Sequence, residues 1–135
     1  AHPSACTIAV WHHPRFTSTR STPDGLTLPL WKTLYDHGAE IIINGHRHQY
    51  ERFAAQTPDG TASPDGIREF VVGTGGISLV GFSGVMRNSQ VRNSKTFGVL
   101  KLTLHSSSYD FSFIPIAGQT FRDSGSGDCH GKPST

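Results

Sequence analysis

A mixed, strand-rich α/β fold is predicted by three observations. Two short apolar runs, "CTIAVW" (Cys6 to Trp11) and "AEIIIN" (Ala39 to Asn44), flank one stretch with helical periodicity. Strand, helix and strand in that order make a βαβ unit with parallel strands. Further on, "TFGVLKLTL" and "YDFSFIPI" alternate apolar and polar residues on either side of "HSSS", which reads as a β-hairpin. The chain is also turn-rich, with 15 Gly and 8 Pro and only 35% apolar residues, a composition suited to many short strands.

The first run is a buried strand that Pro14 ends. "RFTSTRSTPDG" is polar with turn signals and reads as a loop. In "LPLWKTLYDHG", Leu30, Trp31, Leu34 and Tyr35 form one apolar helical stripe. Pro29 suits the first turn, and Gly38 suits the position just past the end. "AEIIIN" is apolar on both faces, as in a covered sheet. A long loop with two Pro-Asp-Gly turns follows, and then a third strand, "IREFVVGTGG". Residues 78–94 are glycine-rich and polar, with only a short apolar patch at Leu79 to Phe82. In the hairpin, Leu100, Leu102 and Leu104 share one face, and Tyr109, Phe111 and Phe113 share the facing one. The tail, residues 123–135, reads as turn-like.

Bulk properties exclude several functions. A length of 135 residues suits one domain. The net charge is +2 with scattered basic residues, so there is no nucleic-acid patch and no membrane-surface patch. No apolar run approaches the roughly 18–20 residues of a membrane span. The chain starts Ala-His-Pro, without Met and without a signal-peptide pattern. The expectation is that processing removed a leader or that this is a piece of a longer chain. Cys6 and Cys129 lie near opposite ends. The expectation is a disulfide, which belongs to an oxidising compartment; the alternative is a buried thiol at Cys6 and an exposed one at Cys129.

The candidate chemistry sits in "NGHRHQYER" and "VWHHP". His46 and His48 lie at i and i+2, which in extended backbone puts both imidazoles on one side. Gly45 before them permits a tight turn. His12 and His13 likewise follow the C-terminal end of a strand. If the strands are parallel, His12, His46 and His48 reach one sheet edge, the edge where open α/β sheets place their sites. Three converging histidines are a metal-site pattern. A lone HxH also describes two surface histidines, and His13 alone fits an exposed turn. "GTGG" (Gly73 to Gly76) lacks a following helix with GK[ST] and is a strand-end turn rather than a phosphate cradle.

"GHRHQYER" resembles the last motif, GHxHxYER, of the purple-acid-phosphatase-like calcineurin-type metallophosphoesterases. "IAVWHHPRF" resembles the preceding motif of that family, a strand that delivers a histidine just before a proline. The closing strands look like those of the bacterial secreted members. The resemblance implies a secreted phosphoesterase that hydrolyses phosphomonoesters or diesters at a dinuclear centre of two divalent or trivalent ions (Fe, Zn or Mn). It implies that His12 and His46 ligate one ion and His48 the other. It places Tyr50, Glu51 and Arg52, with His13, around the ligands or on the substrate side, where carboxylates orient metal-bound histidines. Without that role, Tyr50 to Arg52 would be a capped surface turn with a weak Glu–Arg pair.

The match has gaps. The family's early DxH or DxG motif, its GDxx(Y/D) motif with the bridging aspartate, and its GNH(D/E) motif are all missing. Arg20 stands in a loop where the family often carries a further histidine. The expectation is therefore the C-terminal half of a four-layered metallophosphoesterase β-sandwich, with residues 1–122 in the catalytic domain. The partners expected are a phosphate-ester substrate, the missing N-terminal half and, through an exposed sheet edge, a second copy. The isolated chain is expected to be inactive. The alternative is a non-catalytic metal-binding or structural fragment.

Overall fold

Strand β1 (Ile8–Trp11) and strand β2 (Ile41–Asn44) pair in parallel, from Ile8 opposite Ile41 to Trp11 opposite Asn44, in the computed structural model, which describes residues 5–131. Between them runs helix α1 (Leu28–Asp36). Pro29 lies in its first turn, and Gly38, at φ 77°, follows its end, as the sequence predicts. Of the predicted stripe, Trp31 is fully buried and Leu34 and Tyr35 pack on the core. Leu30 departs from it and is exposed, because it sits about 100° from Trp31 at the margin of the stripe.

Strand β4 (Arg68–Val72) extends the sheet in parallel beside β2. Two further strands lack an alternating apolar period and are not predicted by the sequence. These are β3 (Tyr50–Phe53), antiparallel to β4, and the edge strand β5 (Ser89–Asn93). The sheet order is β1-β2-β4-β3-β5. A second sheet holds the predicted hairpin, β6 (Gly98–Leu104) and β7 (Ser108–Pro115), with Leu100 opposite Phe113 and Leu102 opposite Phe111.

The turn-like reading of the tail is corrected by a third strand in that sheet, β8 (Ser124–Asp128), which pairs with β7. Alternating Ser and Gly carry no hydrophobic period, so the strand had no signal. Gly125 and Gly127 lie against the rings of Phe111 and Tyr109, where a Cβ would collide. Residues 132–135 of the tail lie outside the described residues.

The five-stranded sheet is covered on both faces, which explains the unbroken isoleucines of β2. Ile42 joins Phe16, Trp31, Phe53 and Val71 on the helix side. Ile41 joins Tyr50, Phe70, Phe111 and Phe113 between the two sheets. Tyr50 Oη and Arg52 Nε both donate to Asp123, each at 2.7 Å, and tie β3 to the segment leading into β8.

Cys6 and Cys129 form a disulfide. Beside it, the buried Glu40 accepts from the amides of Thr7 (2.7 Å), His130 (3.0 Å) and Gly131 (3.0 Å). One carboxylate thus fastens Thr7 to His130 and Gly131 next to the covalent link. With the cysteines 123 positions apart in sequence, the loop-entropy limit of the bond is roughly 4–5 kcal/mol. We expect no reactive thiol in the non-reduced protein. Replacing both cysteines by serine should lower the unfolding free energy by about 2–5 kcal/mol, read by denaturant titration.

Candidate metal centre

The parallel pairing of β1 and β2 brings the two histidine motifs together at one end of the sheet. Asn44 Nδ2 donates to Trp11 O (2.9 Å), and the Gly45 amide donates to His12 O (3.1 Å). These bonds staple the two post-strand turns side by side. The His46 ring lies 5.0 Å from that of His12 and 4.1 Å from that of His13. His46 Nδ1 and His12 Nε2 are 3.2 Å apart. Each of the three imidazoles offers a nitrogen, all within 4.8 Å of one another.

The sequence reading grouped His12, His46 and His48; the close cluster is His12, His13 and His46. His48 lines the same pocket as His12 and His46, but its Nδ1 lies 3.2 Å from the carbonyl of Ser78. The reason is the backbone between them. His46 sits at φ 60°, so the turn is not extended and the i, i+2 geometry of a strand does not hold across it. Gly45 is not where the turn is strained, since a Cβ there would meet His12 only at an ordinary 3.6 Å. The unusual backbone belongs to His46 itself, and such positions concentrate at functional sites.

The "GTGG" turn contributes to the site. The Gly73 amide donates to Gln49 O (3.0 Å), and a Cβ on Gly73 would run into the Arg47 carbonyl. A glycine is therefore required for the 46–49 turn to pack against the end of β4.

The loop after Pro14 is buried rather than a free polar loop. Arg15, Phe16, Thr17 and Ser18 are all nearly inaccessible. Two buried glutamate side chains hold it. Glu69 accepts from the amides of Arg15 (2.9 Å) and Phe16 (3.1 Å). Glu51 accepts from the Ser18 amide (2.9 Å) and from the hydroxyls of Ser18 and Ser89. Glu51 thus bonds the histidine-bearing loop and no histidine. Tyr50 and Arg52 are engaged with Asp123. Arg20 is paired with Asp24 at 2.7 Å. Glu69 and the hydroxyl clamp on Glu51 were missed from the sequence, because an isolated Glu inside a strand gives no indication of its partners.

The donors fit a metal ion. Burial, then the nearby His13 and Arg47, holds the His46 pKa below the ordinary imidazole value, which favours the neutral, ligating form. Metal–imidazole bonds of about 2.0–2.1 Å in a tetrahedron place ligand nitrogens roughly 3.3 Å apart, close to the observed 3.2 Å. Among the described residues the cluster holds three imidazoles and no carboxylate.

The helix-backed sheet, the facing second sheet and the histidines at the parallel strand ends define a metallophosphoesterase-like fold. Among solved structures, the chain is similar to the purple acid phosphatase PPD1 from yellow lupin (Lupinus luteus) seeds. The TM-score is 0.71 at 21% identity, over 90% of this chain and 24% of that one. It is also similar to GAP50, the anchor in the inner membrane complex of Plasmodium, with a TM-score of 0.69 at 20% identity, over 93% of this chain and 37% of that one. The chain thus spans about a quarter of the length of the first neighbour and a little over a third of the second. No family model matches the sequence, and no curated protein matches it significantly.

Burial, reinforced by the Glu51 charge, pushes the Glu69 carboxyl up to about 8 against the pull of its amide donors. This lies above the ordinary 4.5. Between these values the folded protein holds a proton that the unfolded chain has released, so stability falls as pH rises through that window. Chemical denaturation should give a lower unfolding free energy at about pH 8.5 than at about pH 5, and Glu69→Gln should flatten the slope. An unchanged slope in the variant would contradict the assignment.

Proposed function

We propose that this chain is the histidine-bearing part of a metal-dependent phosphoesterase domain. The observation that carries the reading is the convergence of His12, His13 and His46 at the C-terminal ends of two adjacent parallel strands, in a fold like that of a purple acid phosphatase. Two divalent or trivalent ions (Fe, Zn or Mn), when bound, would supply an activated hydroxide and neutralise charge on a phosphate ester. In this reading His12 and His46 hold one ion, with His13 beside them. His48, in the same pocket, serves the other. Glu51 and Glu69 set the height of the loop that carries His12 and His13.

The remaining ligands, a bridging carboxylate above all, come from protein outside this chain. The open edge of β1, where Val10 is 72% exposed, supports a covering segment there, or a second copy in its absence. An extracellular location is supported by the disulfide. No helix among the described residues is long and apolar enough to cross a membrane.

A non-catalytic role is the second reading. It is favoured by the lack of a carboxylate in the described cluster and by a structural neighbour named as an anchor. Metal binding followed by p-nitrophenyl phosphate hydrolysis, on the pure chain with Zn, Mn or Fe, tests both. We expect one ion per chain, lost on His46→Ala, and little turnover. Absence of metal binding would sink the phosphoesterase reading. Robust turnover abolished by His46→Ala would place the bridging carboxylate within this chain.

A further inference from the structure

A cavity of about 640 Å³ lies between α1 and the turn at Thr57 to Thr61, and it shares no lining residue with the histidine pocket. Its volume is that of a small-molecule site. Leu28, Tyr35 and Pro58 give it an apolar lining, and Arg15 and Lys32 bring positive charge to it. Lys32 is exposed, whereas Arg15 is only 6% exposed.

The Arg15 guanidinium has no ion-pair partner among the described residues. Its Nε donates to Pro58 O (2.7 Å) and its Nη1 to Asp24 O (2.6 Å), both neutral carbonyls. The Phe16 ring covers one face, with its centroid 5.1 Å from Cζ. The neighbouring carboxyl groups are engaged elsewhere. Asp24 pairs with Arg20. Asp59 accepts from the Thr57 hydroxyl and the Thr61 amide, and Glu69 from the amides of Arg15 and Phe16. Nη2 is left without an acceptor among the described residues, yet it is not sealed from solvent. A buried arginine is rarely left unpaired, because desolvating a lone charge is costly. Here two carbonyls and a ring fix the guanidinium, and the place left for an anion is the cavity.

The rim narrows the choice of anion. Asp36 and Asp59, both exposed, line the cavity beside Lys32. Two positive and two negative groups give no net attraction for a dianion. A single charge can sit at Nη2 and keep clear of both aspartates.

We propose that this cavity binds a small organic acid, a monocarboxylate carried on an aliphatic or aromatic body. The carboxylate accepts from Arg15 Nη2, Lys32 adds a screened attraction from the rim, and the body covers Leu28, Tyr35 and Pro58. The site is independent of the phosphoesterase reading.

The full chain is titrated with hydrocinnamate, with its neutral amide hydrocinnamide, and with the dianion benzylmalonate. Amide NMR spectra locate the binding and calorimetry measures it. Hydrocinnamate should shift the amides of α1 and of Thr57 to Thr61 and leave those of His46 to Gln49 in place. It should bind about tenfold more tightly than hydrocinnamide, and more tightly than benzylmalonate. Lys32→Glu should weaken it about threefold or more. Asp59→Asn, which can keep both acceptor bonds of the turn, should tighten it. Arg15→Met should bring the acid down to the affinity of the amide; if that variant does not fold, the two rim variants decide. Equal affinity for acid and amide, shifts confined to other parts of the chain, or no binding of hydrocinnamate overturns the proposal. A folded Arg15→Met chain that keeps the parent affinity, or rim variants that leave it unchanged, overturns it as well.

Discussion

Two buried glutamate carboxyl groups, Glu51 on β3 and Glu69 on β4, grip the loop that leaves β1, and the geometry of the histidines follows from that grip. Between them they accept three backbone amides, from Arg15, Phe16 and Ser18, and two hydroxyls. Removing such a partner strands buried donors, at a cost of about 1–3 kcal/mol for each group left unpaired. The loop is therefore fastened to the sheet beneath it, and His12 and His13 stand only a few residues before the fastened segment.

The second histidine turn is held by other means. Its anchors are the parallel register of β1 and β2, the stapling bonds from Asn44 and Gly45, and the Gly73 backbone pressed against Arg47. These contacts together keep His46 in a left-handed conformation, which costs of order 1–3 kcal/mol for a residue other than glycine. The buried faces of the sheet, with Trp31 on one side and Phe111 and Phe113 on the other, supply the surplus that tolerates it. A Glu-lined interior beneath a histidine-lined surface is thus one connected arrangement, with packing below and polar chemistry at the strand ends.

What was legible in the sequence depended on period and punctuation. Ile41 to Asn44, the α1 stripe with Pro29 and Gly38, and the Leu–Phe alternation of the hairpin each repeat at a single period, and each forms as read. β5 and β8 were invisible because Ser, Gln, Arg and Gly carry no hydrophobic period. Both take their place from a neighbour, β3 or β7. The histidines could be assigned to one sheet edge from the βαβ order alone. Which of them would meet could not, because the φ of His46 breaks the extended geometry on which the i, i+2 argument relied. The grip of Glu51 and Glu69 joins residues 33 to 54 apart in sequence and leaves no local trace.

The central claim is that β1 and β2 present His12 and His46 to one and the same ion. A double-mutant cycle in zinc affinity tests it most directly, using His12→Ala, His46→Ala and the double variant. Ligands of one ion are strongly coupled, so the double variant should lose little more than either single one. Additive losses in the double variant would mean that the two histidines serve separate sites, and would contradict the account.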